Sequence, residues 1–145
     1  MAPKSININH MSFPSILLGT EIARLEGTGR LAIPVIWREH FSHGKACLIT
    51  SRLGSLPCKM LFPYGNVIEI LRSTQDLRDR EAIARSSKMV PIDRQGRLMV
   101  AAEKEDFPRD VTLLGSLSHI KIVETALADD LTARDGDLMD EMFRD

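Results

Sequence analysis

The sequence predicts a mainly β protein with short helices, of α+β class, built as two similar halves that pack on one another to make one domain. Three observations carry that prediction. The chain resembles itself at an offset of 67 residues, short aliphatic runs separated by glycine-containing turns recur in each half, and the stretch between the halves has helical spacing. Its 145 residues, 43% hydrophobic and 27% charged, suit one compact soluble domain or two small ones rather than a disordered or fibrous chain.

The repeat sets Glu21 to Ile33 against Lys88 to Val100 through the shared pattern acidic-x-x-Gly-Arg-Leu-x-aliphatic. Glu26 corresponds to Asp93, Gly29 to Gly96, Arg30 to Arg97, Leu31 to Leu98 and Ile33 to Val100. Further on, Ala46 to Ile49 resembles Val111 to Leu114, and Lys59 to Phe62 resembles Ile120 to Val123, with Gly54 and Gly115 in the connections. Each half therefore reads as strand, tight turn, strand, short helix, strand, turn, strand. In the tight turns Glu26 and Asp93 can accept from backbone N–H groups ahead of them, and Gly29 and Gly96 supply the positive φ that a hairpin needs. The short helix opens at Pro34, runs to Phe41 and stops at Gly44; Ala101 to Phe107 is expected to form its counterpart, ended by Pro108. One half is too small to close a core, so the two must share one.

These readings divide the chain into an N-terminal extension (1–18), a first repeat (19–63), a helical linker (64–87), a second repeat (88–125) and a C-terminal tail (126–145). The linker spacing of Val67, Ile68, Ile70, Leu71, Leu77, Ile83 and Ala84 predicts one helix, or two broken near Ser73 and Thr74. Its mixed charges, Arg72, Arg78, Arg80, Arg85 and Lys88 against Glu69, Asp76, Asp79 and Glu81, read as a solvated face, with phosphate contact as the alternative. The tail carries Leu127, Leu131, Leu138, Met142 and Phe143 among acids, which predicts an amphipathic helix fraying around Gly136.

Charge is distributed unevenly. The total is −1, but residues 124–145 hold 8 acids and 2 arginines, a local −6, which leaves +5 on residues 1–123. The only two cysteines, Cys47 and Cys58, do not form a C-x-x-C pair and read as free thiols in a reducing compartment. Near the N-terminus Lys4 precedes only a short apolar run, Ile16 to Leu18, too short for a signal-peptide core or a membrane span; a cytoplasmic protein is expected. The common phosphate-loop, dinucleotide, hydrolase and metalloprotease patterns do not occur, so neither an enzyme nor a bound cofactor is expected. His40, His43 and Cys47 are the one conceivable metal cluster and lack a fourth ligand; His10 and His119 are isolated. Trp37 and Phe41, four apart on the short helix, read as core rather than as a base-stacking platform, and the methionines as core filler.

With these residues in view, Glu26 to Phe41 resembles the first repeat of the MraZ family, and Ile92 to Leu98 its second. The segment Leu113 to Ile122, Leu-Leu-Gly followed by Ile-x-Ile, is similar as well, so the resemblance spans about residues 19–125. It implies a double swapped-hairpin AbrB-type β-barrel made by two halves of one chain. It further implies a bacterial DNA-binding transcriptional regulator of the division and cell-wall gene cluster, nucleoid-associated and assembled into a ring. Arg30 and Arg97 are the DNA-binding residues that the resemblance carries over, with Arg24, Arg38, Arg94 and Lys88 as expected neighbours at the same end. Both turn arginines are also placed to pair with the acid four residues earlier, which would leave binding to Arg24, Arg38 and Arg94. The chain departs from the family in having Glu26 for Asp, no counterpart of Arg38 in the second half, and acids Glu103, Glu105 and Asp106 near a surface that in the family faces phosphate. Two other functions fit: an AbrB-type antitoxin or interaction module whose acidic tail holds a protein partner, and a ring-forming structural protein without DNA binding. A further expectation is that the tail competes with DNA for the basic turns.

Overall fold

The computed structural model describes residues 12–53, 56–102 and 104–144. Lys4, His10, Gly54 and Glu103 lie outside the described residues. The fold is mixed α+β and mostly sheet, with eight strands among the described residues: β1 (Thr20–Arg24), β2 (Arg30–Ala32), β3 (Lys45–Leu53), β4 (Leu56–Pro63), β5 (Ser87–Pro91), β6 (Arg97–Met99), β7 (Asp110–Gly115) and β8 (Ile120–Glu124). The helices are α1 (Val35–Arg38, continued by one 3-10 turn to Phe41), α2 (Tyr64–Ser73), α3 (Leu77–Ser86) and α4 (Thr125–Met142).

Each predicted tight turn closes locally, but its flanking strands part for different partners. Six strands form one antiparallel sheet in the order β1-β7-β8-β4-β3-β5, while β2 and β6 pair separately with Arg30 opposite Met99, Leu31 opposite Leu98 and Ala32 opposite Arg97. Thus β1 of the first half lies on β7 of the second, and β5 of the second lies on β3 of the first. Exchanging β1–β4 for β5–β8 turns the strand order into its own reverse. The expected closed barrel does not form: β1 and β5 end at opposite edges of an open sheet, and no pairing joins them. The turns lift β2 and β6 out of the sheet plane, so they cap one face of it instead of closing it.

Strand alternation then sorts the side chains into layers. Leu48, Leu61, Val90, Val111, Leu113, Ile120 and Ile122 face Leu31, Ile33, Leu98 and Val100 of the β2–β6 side in one buried core. Side chains of this size each stabilise by about 1.5–3 kcal/mol when buried. The alternate residues face outward and are covered by helices: Cys47 and Phe62 by Val67 of α2, Cys58 and Val123 by Ala128 of α4. The order through the molecule is α2 and α4, six-stranded sheet, core and β2–β6 ribbon, with α1 on the core side. Trp37 and Phe41 are core residues as expected, and the Trp37 indole donates to the Leu18 carbonyl at 2.7 Å.

The linker forms two helices broken at Thr74, whose N–H and hydroxyl both bond the Ile70 carbonyl; Asp76 then caps α3 by accepting from the N–H groups of Arg78 and Asp79. Two expectations are corrected. Ala101 to Phe107 forms turns rather than a helix among its described residues, because it lacks the proline that starts α1 and because Glu105 is drawn inward to Lys59. The tail helix does not fray at Gly136: α4 is continuous to Met142, since the good helix formers Ala133, Arg134, Leu138 and Met139 around it offset the ~1 kcal/mol that one glycine costs. As α2 follows β4, so α4 follows β8, and Val67 and Ala128 occupy matching buried positions.

Candidate nucleic-acid interface

The two Gly-Arg turns lie on the face capped by β2 and β6. Their backbones are alike. Glu26 N–H donates to the Arg30 carbonyl and Gly29 N–H to the Glu26 carbonyl, at 2.9 and 2.8 Å; the matching bonds from Asp93 and Gly96 are 2.9 and 3.0 Å. Gly29 and Gly96 have φ of 91° and 78°, which supports the sequence expectation for both. The turns are also linked crosswise, because Ile33 N–H donates to the Gly96 carbonyl and Val100 N–H to the Gly29 carbonyl. Pairing of β2 with β6 therefore sets the two turns side by side.

The side chains are less symmetric. Asp93 Oδ1 accepts from the N–H groups of Gln95 and Arg97, both at 2.9 Å, and its Oδ2 meets Arg97 Nε at 3.2 Å. The Arg97 N–H, ahead of the other contacts, holds the Asp93 carboxyl below its ordinary range, and Asp93 in turn raises the Arg97 guanidinium. Glu26 does not pair with Arg30: its carboxylate reaches across to Arg97 at 3.4 Å. Arg97 is thus held between two acids, one from each half, so the ion-pair alternative describes Arg97 and not Arg30.

Arg30 and Arg94 are exposed and make no ion pair among the described residues. Arg38 lies over the second turn, with its Nη2 donating to the Ile33 carbonyl at 3.0 Å and its Nε 2.9 Å from where a Cβ on Gly96 would sit. The face around the turns therefore presents Arg30, Arg38, Arg94 and Arg97 against Glu26 and Asp93. Two expected residues remain. Arg24 ends β1, two residues before Glu26, and sits 3.7 Å from Asp110 on the neighbouring strand. Lys88 is opposite Leu48 near the start of β5, five residues or roughly 16 Å of extended chain before Asp93, and is not brought to the turns.

Sequence reasoning missed two contacts. The Glu26–Arg97 pair spans 71 positions and exists only because β2 meets β6. The Lys59 ammonium is buried, 2.6 Å from Glu105, 3.1 Å from the Thr50 hydroxyl and 5.5 Å from the centre of the Phe107 ring. Glu105 is thereby committed to a cation of the core, which reduces the negative charge that its segment presents to the surface. The alternation that makes Lys59 inward-facing was the available signal.

The other candidates do not converge. Cys47 is buried under α2, His43 meets Tyr64 edge-on, and His40 faces Glu39 at 3.8 Å. Among the described residues no group of three or more His, Cys, Asp or Glu is placed to hold a metal ion, and no helix is long and apolar enough to cross a membrane. Cys47 and Cys58 are free, and burial pushes both thiols up. No protein-family model matches the chain, and no curated protein matches it.

Proposed function

We propose that the protein is a DNA-binding transcriptional regulator of the MraZ type, its two halves forming an AbrB-like swapped-hairpin unit that binds duplex DNA and assembles into a ring. The observation that carries the reading is the pair of Gly-Arg turns, set together by β2–β6 pairing on the face opposite α2 and α4, with four arginines against two acids. Arg30 and Arg94 contact phosphates or base edges; Arg38 and Arg97 shape the second turn and add positive potential. Each copy offers few phosphate contacts, so repetition around an oligomer supplies the affinity through effective concentration.

The test is fluorescence anisotropy with a labelled duplex from upstream of the protein's own gene, competed by unlabelled duplex of scrambled sequence. The reading expects saturable binding at low salt that the scrambled competitor displaces less well. No binding at low salt contradicts it.

A further inference from the structure

We propose that the distal half of α4 docks on the β1 edge of a second copy of this chain, so that assembly is head to tail. The inference rests on the oligomeric part of the proposed function and does not assume DNA binding. Its starting point is that α4 outruns its own support. Ala128, in its first turn, is its only buried residue, and the helix continues for fourteen more residues, roughly 21 Å, to Met142. Over that length Leu138, Met139, Met142 and Phe143 stand exposed, Phe143 at 75%. Leu138 and Met142 are four apart and Met139 and Met142 three apart, so they share one side of the helix end, and exposed large apolar side chains grouped in this way suit an interaction site.

A second apolar area has no partner among the described residues either. Ile22 is 79% exposed on β1, an edge strand, and Leu18, just before that strand, is 64% exposed. Val35 and Ile36 of α1 are exposed beside it, with Ile36 Cδ1 3.9 Å from where a Cβ on Gly19 would lie. An edge strand with uncovered apolar side chains invites a partner.

Charge selects the occupant. Within α4, Asp129, Asp130, Asp135, Asp137, Asp140 and Glu141 face a single Arg134, so two such helices repel one another and a symmetric α4–α4 contact is disfavoured. The rest of the chain carries +5 against −6 from Glu124 onward, which makes the body of another copy the complementary surface; on the acceptor strand Arg24 lies two residues from Ile22 and faces Asp110 at 3.7 Å. Since α4 and β1 are different surfaces, the contact is heterologous: every copy has one donor helix and one acceptor edge, and repetition closes a ring or runs on as a filament.

The experiment is light scattering coupled to size exclusion on the full chain, without DNA, comparing wild type with L138E/M142E and with I22E. All three sites are exposed, and circular dichroism verifies that the variants stay folded. The expected result is a wild type larger than a dimer, each variant alone at the 16.2 kDa of one chain, and an equimolar mixture of the two variants forming a dimer and nothing larger. An oligomer unchanged in either variant, or a mixture that stays monomeric, overturns the inference while leaving the oligomeric reading intact. A monomeric wild type overturns both.

Discussion

At the scale of residues, the two turn glycines are equivalent in sequence but not in cost. Both hold a positive φ, for which a residue with a Cβ costs about 1–2 kcal/mol. A Cβ on Gly29 would also run into the Ala101 carbonyl, which is backbone, whereas on Gly96 it meets the flexible Arg38 side chain. Gly29→Ala should therefore destabilise by about 3 kcal/mol or more and Gly96→Ala by about 1–2 kcal/mol, as read by urea unfolding. Two titrations follow from single side chains as well. Asp93, lowered from its ordinary 3.8, contributes stability that is present above that value and lost as pH falls through its folded pKa; Asp93→Asn should flatten this acid limb, because asparagine keeps the turn acceptor and loses the charge. His119 is lowered to about 4 by burial and then by Lys121, its ring 4.7 Å from that of Phe62. It folds neutral, so its contribution is complete above pH 6.5 and lost as pH falls toward 4, by up to about 3 kcal/mol. Unfolding of His119→Phe across that range should show a correspondingly shallower decline.

At the scale of elements, the segment from Ala101 to Phe107 is where local pattern and tertiary demand part. Its alanines and acids permit a helix, yet Glu105 turns inward to the Lys59 ammonium, which is only 4% exposed. Removing the acid alone leaves a buried charge unpaired, so Glu105→Ala should cost about 3–5 kcal/mol. The double variant Lys59→Met with Glu105→Ala should recover most of that loss in the same denaturation assay. Other elements were legible because their signals are local. A break at Ser73 and Thr74 is one of the two readings of the linker, and strands β3, β4, β7 and β8 follow from short aliphatic runs bounded by turns. The continuity of α4 was not legible, because Gly136 argues for a break that the surrounding helix formers override.

At the scale of the whole molecule, the self-similarity at 67 residues led to two interlocking halves, and the crossed pairing of β1 with β7 and β5 with β3 follows the same exchange of halves. Closure into a barrel was not legible, since it depends on whether β1 and β5 meet, and nothing in either strand's sequence says so. Of the candidate site, Arg30, Arg38, Arg94 and Arg97 gather around the turns. Lys88 does not, because proximity in sequence was read as proximity at one end of a strand. The charge split between body and tail has a spatial counterpart: α4 is anchored on the sheet face opposite the turns, so its acids start far from the arginines of their own chain.

If the exposed arginines of the paired turns bind DNA, the binding must weaken with salt in proportion to the phosphates they neutralise. Anisotropy titrations of wild type, Arg30→Ala and Arg94→Ala across a range of salt should give affinities that fall linearly on a log–log plot. Each variant should bind about tenfold more weakly at a given salt, as expected when one charged hydrogen bond worth roughly 1.5 kcal/mol is removed, and its slope should be shallower by about 0.9 for each phosphate it no longer neutralises. Affinity and slope identical to wild type when both arginines are replaced together would contradict the account.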